Sequence, residues 1–291
     1  MLRIGIIGAD NFHALAFARL ANFPVQEGGS GLPVRVTALW GESEARAAFV
    51  AKEAQIPTIV QTQAELLGTV DAVMIVLRHG AQHCAAALPF LHAGIPVWVD
   101  KPFTIDYAQA NILVDAAKKS GTILAGGSTC KYCPDVLAAK AEFDALCAQD
   151  TVISGAFNFP GEIDSPYGGL YFYGGHAVEI LTTIFGTDVQ SVKADVTAGN
   201  VIAIFKYANR AVSVNFSEVT QFFCTLYTPQ KTITMPIDIS AVYRQGFAKF
   251  VNALLQNKAP EPAESLLRPV RILNALVAAT VSEREEWIQQ N

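Results

Sequence analysis

Leu2-Arg3-Ile4-Gly5-Ile6-Ile7-Gly8-Ala9-Asp10-Asn11-Phe12-His13 is an apolar run that stops on a glycine and passes into a helical pattern over residues 12–22. Apolar side chains in an unbroken row, rather than alternating with polar ones, predict a strand buried on both faces, as in a parallel sheet covered by helices. Outward from this stretch the same grammar repeats. Further strands are expected at residues 34–40, 72–77, 95–99 and 122–125, and helices at 43–54, 81–93 and 107–119. Gly94 and Gly121 each stand between a helical pattern and a strand, where a C-cap glycine belongs. Pro89 falls inside the third helical pattern and predicts a kink there. Strand–helix alternation of this kind reads as an α/β unit with an N-terminal parallel sheet.

After Gly126-Gly127 the grammar changes. A helix is expected at 134–147, a strand at 152–159, a Gly/Pro/Tyr-rich loop at 160–169 and a helix at 175–185 closed by Gly186. Four runs of β character follow, at 189–196, 201–207, 211–216 and 222–227. In the third, Val212, Val214 and Phe216 alternate with Ala211, Ser213 and Asn215, which predicts a half-exposed antiparallel strand. Helical patterns at 241–256 and 266–287 close the chain. The expected division is therefore residues 1–127 as a nucleotide-binding unit and 128–291 as an α+β unit with a mostly antiparallel sheet.

With 291 residues the chain has length for two ordinary domains. Hydrophobic residues make up 51% of it and its mean hydropathy is +0.29. Such apolar content predicts a generous core or an apolar face covered by a second subunit. A formal net charge of −5 without a Lys/Arg cluster argues against nucleic acid as partner. The longest charge-free stretch, 79–99, contains Gln82, His83, Pro89, Gly94 and Pro96 and makes a poor membrane span. Met1-Leu2-Arg3-Ile4-Gly5 lacks the architecture of a cleavable signal, so a cytoplasmic location is expected. Five cysteines without framework spacing fit reduced thiols. Cys130-x-x-Cys133 has no second pair to complete a zinc site and reads as two buried small residues.

The first strand–helix turn is where chemistry enters. A dinucleotide fingerprint there would read G-x-G-x-x-G, with glycines that let the backbone approach a pyrophosphate. Gly8 keeps the first place, while Asp10 and His13 occupy the other two. Asp10 is expected to be the helix N-cap, using the same free N–H groups that a phosphate would need. After the second strand comes Trp40-Gly41-Glu42, where NAD enzymes set an acid against the adenosine ribose. Glu42 and Glu44 both stand within reach, and both also suit the solvated first turn of a helix. No Ser-Arg pair is present to grip a 2′-phosphate, which favours NAD over NADP.

Two further segments carry a family resemblance. Val97-Trp98-Val99-Asp100-Lys101-Pro102, preceded by His92-Ala93-Gly94-Ile95-Pro96, resembles the glycine–strand–(Glu/Asp)-Lys-Pro element of the Gfo/Idh/MocA oxidoreductases. The run 71–76 followed by His83 resembles that family's fourth strand and its histidine. Gly174-Gly175-His176-Ala177-Val178-Glu179 resembles the family's G-x-H-x-x-D, with Glu179 where aspartate is usual. The resemblance spans nearly the whole chain in order. It implies a Rossmann-like unit followed by a substrate and oligomerisation unit, and a hydride transfer between nicotinamide and a hydroxyl or carbonyl carbon of a small, sugar-like substrate. It implies that Lys101 polarises the substrate oxygen and that His176 exchanges its proton, the two facing one cleft from opposite domains. It also implies that Gly8, Asp10, Asn11, Phe12, His13, Glu42, His83, Lys101 and Pro102 surround NAD or NADP. No metal is implied, and the C-terminal sheet is expected to join subunits of a homo-oligomer. One departure bears on catalysis. Many relatives carry an aspartate four residues before the histidine, and here Phe172 stands there. Together with Asp10, His13 and Gly41, this keeps a second reading open, a binding or regulatory protein on the same fold. A third reading is a redox-neutral enzyme, such as a glycosidase with tightly held NAD.

Overall fold

The computed structural model describes residues 1–148 and 154–289. The chain divides into two compact units, residues 1–129 with 242–267, and residues 130–241 with 268–291.

The first unit is built in chain order from β1 (Leu2–Ile7), α1 (Phe12–Asn22), β2 (Val34–Trp40), α2 (Glu44–Glu53), β3 (Thr58–Ile59), β4 (Ala72–Ile75), α3 (His83–His92), β5 (Val97–Val99), α4 (Tyr107–Ser120) and β6 (Leu124–Gly126). Its six strands lie in the order β3-β2-β1-β4-β5-β6 and all pair in parallel. Strand order reverses between β1 and β4, the switch point outside whose carboxyl ends such sheets bind ligands. The unalternating apolar runs are explained by burial on both faces. Ile4, Ile6 and Ile7 of β1, Ala72, Val73, Met74 and Ile75 of β4, and Val97, Trp98 and Val99 of β5 have no exposed surface. Gly121 caps α4 in the left-handed conformation, as its place in the sequence required.

The second unit contains α5 (Pro134–Cys147), β7 (Ser154–Phe159), α6 (Tyr171–Phe185), β8 (Ser191–Thr197), β9 (Asn200–Lys206), β10 (Ala211–Phe216), β11 (Phe222–Tyr227) and β12 (Thr232–Ile237). Helix α7 (Val242–Gln256) belongs to the first unit, and the chain ends with α8 (Leu267–Ser282) and β13 (Glu286–Trp287). The seven-stranded sheet runs β12-β11-β7-β10-β9-β8-β13. Every pairing is antiparallel except β7 with β10. Alternation places Val201, Ala203 and Phe205 of β9 and Val212, Val214 and Phe216 of β10 on the buried face. The opposite face carries Ile202, Ile204 and Phe223 exposed to solvent. The start of the expected strand, 152–153, lies outside the described residues.

Three differences from the sequence reading have physical causes. First, the unit boundary is not a single cut at residue 127, because α7 packs on the parallel-sheet unit. Its buried stripe presents Phe247 to Phe17 at 6.2 Å between ring centroids and Phe250 to Trp98 at 5.8 Å. Second, Asp10 does not cap α1. Asn11 is the N-cap, its side-chain oxygen accepting from the His13 N–H at 3.2 Å. Third, α6 begins one turn before Gly175, at Tyr171. Gly174 is a poor helix former, but a Cβ there would stand 3.0 Å from Leu273 Cδ1, so close packing against α8 sets its identity. His176 therefore sits in the second turn of α6 rather than at its start.

Candidate active site

In the first unit the geometry of the turn after β1 is decided by Gly8. Its φ is +112°, and a Cβ would come within 2.8 Å of the Leu77 backbone nitrogen. Only glycine lets this turn sit so close to the end of β4. The neighbouring Ala9 N–H donates to Glu42 Oε2 at 2.8 Å. Glu42 thus reaches from the end of β2 onto the first turn. Buried Asn11 uses its oxygen for the cap, while its Nδ2 has no hydrogen-bond partner among the described residues. The same holds for Asp10 Oδ1. Phe12 is exposed and lies edge-on to Tyr243 of α7. At the carboxyl ends of β2 and β4, Trp40, Glu42, Gln63, Leu77, Gln82 and Ala86 line a cavity of about 400 Å³.

His13 turns inward. Its Nδ1 lies 2.6 Å from Asp100 Oδ2, with both side chains buried. The ring is held edge-on by Phe17 and by Tyr243, at 6.2 and 4.8 Å. Asp100 directly follows β5 and Lys101 comes next, only 2% exposed. Burial pushes the Asp100 carboxyl upward, but His13, through its charge and hydrogen bond, and then Lys101 outweigh it and hold the group below its ordinary value. The His13–Asp100 contact therefore ties the first turn to the segment after β5.

His83, also fully buried, supports the same strand end from behind. Its Nδ1 is 2.8 Å from the Pro102 carbonyl and its Nε2 is 2.9 Å from the Leu77 carbonyl. Burial drives the His83 pKa down against the pull of these carbonyls and of Asp100. The ring is thus neutral in the fold, whereas in the unfolded chain it gains a proton below about pH 6.5. Acidification through that value favours the unfolded state. The melting temperature should fall as pH drops from 7.5 to 5.5, and His83→Gln should flatten that dependence. Parallel melting curves against pH for the two proteins would show that His83 is not the group responsible.

In the second unit a polar cluster forms between α6 and the turn at Thr129–Tyr132. His176 is 9% exposed, its Nδ1 lies 3.5 Å from Cys130 Sγ, and its ring tilts against Phe159 at 5.8 Å. One helical turn later, Glu179 Oε2 meets Lys131 Nζ at 3.1 Å, both side chains nearly buried. The spacing of His176 and Glu179 places both on one helix face, as the sequence implied. Phe172 lies among aromatic rings, 5.3 Å from Tyr167 and 4.9 Å from Tyr173. Lys131 escaped the sequence reading, and Cys130 was read there only as a buried small residue, which it is. The available signal was weak, since Lys131 comes five residues after the last parallel strand, in the turn at Thr129–Tyr132. None of the five cysteines is in a disulfide, and Cys133 is buried with its thiol 3.1 Å from the Asp238 carbonyl.

Comparison with known proteins places these features in context. Residues 2–128 match the GFO_IDH_MocA model, an oxidoreductase family with an NAD-binding Rossmann fold. The UDP-N-acetylglucosamine 3-dehydrogenase of Acidithiobacillus ferrooxidans is 31% identical over 129 residues, which are 43% of this chain and 36% of that protein. The match thus spans little more than a third of the relative's length. Two solved structures extend the likeness across both units. GenD2 from gentamicin A biosynthesis, in complex with NAD, has a TM-score of 0.82 at 16% identity, covering 99% of this chain and 97% of that one. The myo-inositol 2-dehydrogenase of Lactobacillus plantarum has a TM-score of 0.83 at 15% identity, covering 99% of each chain. At such identities the likeness is one of fold. Among the described residues no helix is long and apolar enough to cross a membrane.

Proposed function

We propose that this chain, whose residues 2–128 belong to the Gfo/Idh/MocA oxidoreductase family, is an NAD-dependent dehydrogenase acting on a hydroxyl or carbonyl carbon of a sugar-like substrate. The observation that carries the reading is Lys101, a buried lysine at the carboxyl end of β5 in a unit of NAD-binding fold. A lysine is held in such a place at a cost unless its charge is used or paired. The dehydrogenase names of the similar proteins support the substrate class.

The residues present fit the cofactor. Gly8 permits the tight turn that leads into α1, and the N-terminus of α1 with the unpartnered Asn11 Nδ2 offers donors to a pyrophosphate. The cavity beside Trp40 and Glu42 suits an adenosine, and the Glu42 carboxylate disfavours a 2′-phosphate. His83 acts through the Pro102 backbone rather than on the nucleotide itself. NAD supplies the hydride acceptor or donor at its nicotinamide ring. In this reading Lys101 donates a hydrogen bond to substrate oxygen, and His176 is a proton-exchanging group.

A thermal-shift titration tests the cofactor. NAD or NADH should raise the melting temperature by mass action, and NADP or NADPH should do so less at equal concentration. No shift with any of the four at millimolar concentration would overturn the reading.

The open sheet face is proposed to join a second copy of the chain. Ile202 is 55% exposed and Ile204 38%, with uncharged Asn215 and Ser213 opposite them on β10 and Lys193 and Asp195 beside them on β8. A permanent interface of this sort buries on the order of 2,000 Å² or more. Light scattering should give at least a dimer at micromolar concentration, and a monomeric mass would remove the proposal.

A further inference from the structure

The dehydrogenase reading gives His176 a proton to exchange but leaves open what governs its two ring nitrogens. Where a carboxylate faces Nδ1 of a histidine, it accepts the Nδ1 hydrogen, leaves Nε2 free as a base and stabilises the imidazolium. Phe172 cannot do this. The group that faces His176 Nδ1 is instead the Cys130 thiol, at 3.5 Å. Cys130 is 1% exposed, and the Phe159 ring that leans on His176 is itself stacked on Phe222 at 5.1 Å. In apolar surroundings of this kind a thiol keeps its hydrogen. Lys131, next to Cys130 in sequence, is paired with Glu179 at 3.1 Å.

We infer that Cys130 is a positioning residue for His176, its S–H donating to Nδ1 and so holding the imidazole as the neutral tautomer with hydrogen on Nε2. The consequence for chemistry is a change of character. A carboxylate-backed histidine rests as a base, whereas a thiol-backed one rests as a donor whose Nε2–H is ready to polarise a carbonyl oxygen. A neutral histidine in that role is an established way to activate a carbonyl. The inference rests on the assignment of His176 to the reacting oxygen, but the tautomer it specifies is a property of the resting protein.

Nitrogen NMR of the full chain with 15N-labelled histidine reads that property without substrate. The chain has five histidines, and His176→Gln identifies the signal. In the unaltered protein at pH 8, His176 should show the Nε2–H tautomer. In Cys130→Ala the preference should relax toward a mixture. The midpoint of its titration should rise by roughly half a pH unit, the effect of losing one modest hydrogen bond that favours the neutral ring. Cys130→Ser, which keeps a donor of similar size, should retain the tautomer. A merely space-filling cysteine would leave tautomer and midpoint unchanged in the alanine variant. That result, or an Nδ1–H tautomer in the unaltered protein, would overturn the inference. Failure of the dehydrogenase reading shows up separately, as absence of nucleotide binding with the tautomer still in place.

Discussion

His13→Ala should cost about 3–5 kcal/mol of folding stability, the usual penalty for removing one partner of a buried ion pair. The imidazole is the group that lies 2.6 Å from Asp100 Oδ2, and Asp100 has no exposed surface. Its other oxygen, Oδ1, has no hydrogen-bond partner among the described residues. Alanine would strand a carboxylate in the interior and open a cavity between Phe17 and Tyr243, which hold the ring edge-on. The sign of the pH dependence follows from the lowered Asp100 pKa. A depressed carboxyl contributes stability that is present above the unfolded value of about 3.9 and is lost as pH falls through the lower folded value. The share of the difference that comes from Asp100 should therefore be present at neutral pH and be lost in strong acid. Urea unfolding of both proteins at pH 7 measures it, with an unchanged m-value showing that compactness is not what differs. A loss below about 1 kcal/mol would mean that water or rearrangement replaces the imidazole at little cost, and that the pair does not hold the first turn to β5.

Lys101→Met and His176→Gln should each lower turnover by roughly 10²–10⁴-fold, the range expected of groups that assist proton transfer. Methionine keeps the volume of the lysine stem, which matters because Lys101 is only 2% exposed and alanine would leave a void. The measurement is NAD reduction followed in the nicotinamide absorption band across a panel of sugars and polyols, with melting temperatures taken alongside. A nucleotide-induced shift that survives in both variants would separate loss of chemistry from loss of cofactor. If a substrate is found and both variants turn it over at the unaltered rate, Lys101 and His176 are not the reacting groups. The binding-protein reading, favoured by Phe172 and by the buried Asp10 oxygen, would then take precedence.

Much of the architecture was legible because it rests on local pattern. The unalternating apolar strands of the first unit, the helices between them and the glycine after α4 follow from periodicity and from the conformational freedom of glycine. The two-faced strands β9 and β10 were equally plain. Lys101 and His176 were found through short motifs, and their burial agrees with a role that is not merely solvated surface. What pattern alone did not reveal depends on partners distant in the sequence. Asp10 and Asn11 are both good caps, and the choice between them turns on which side chain the backbone aims at the free N–H groups.

The sequence by itself determined the alternating parallel sheet, the change of grammar after Gly127, the half-exposed second sheet and the candidate pair Lys101 and His176. Tertiary structure alone decided that α7 returns to the first unit, that His13 meets Asp100 across 87 residues, and that Cys130 faces His176 across 46. The reason is physical. Periodicity records which face of an element is buried, because burial of apolar area is non-directional and summed over many residues. A hydrogen bond between two buried side chains is directional and short, and its partner is set by where the folded backbone brings them together.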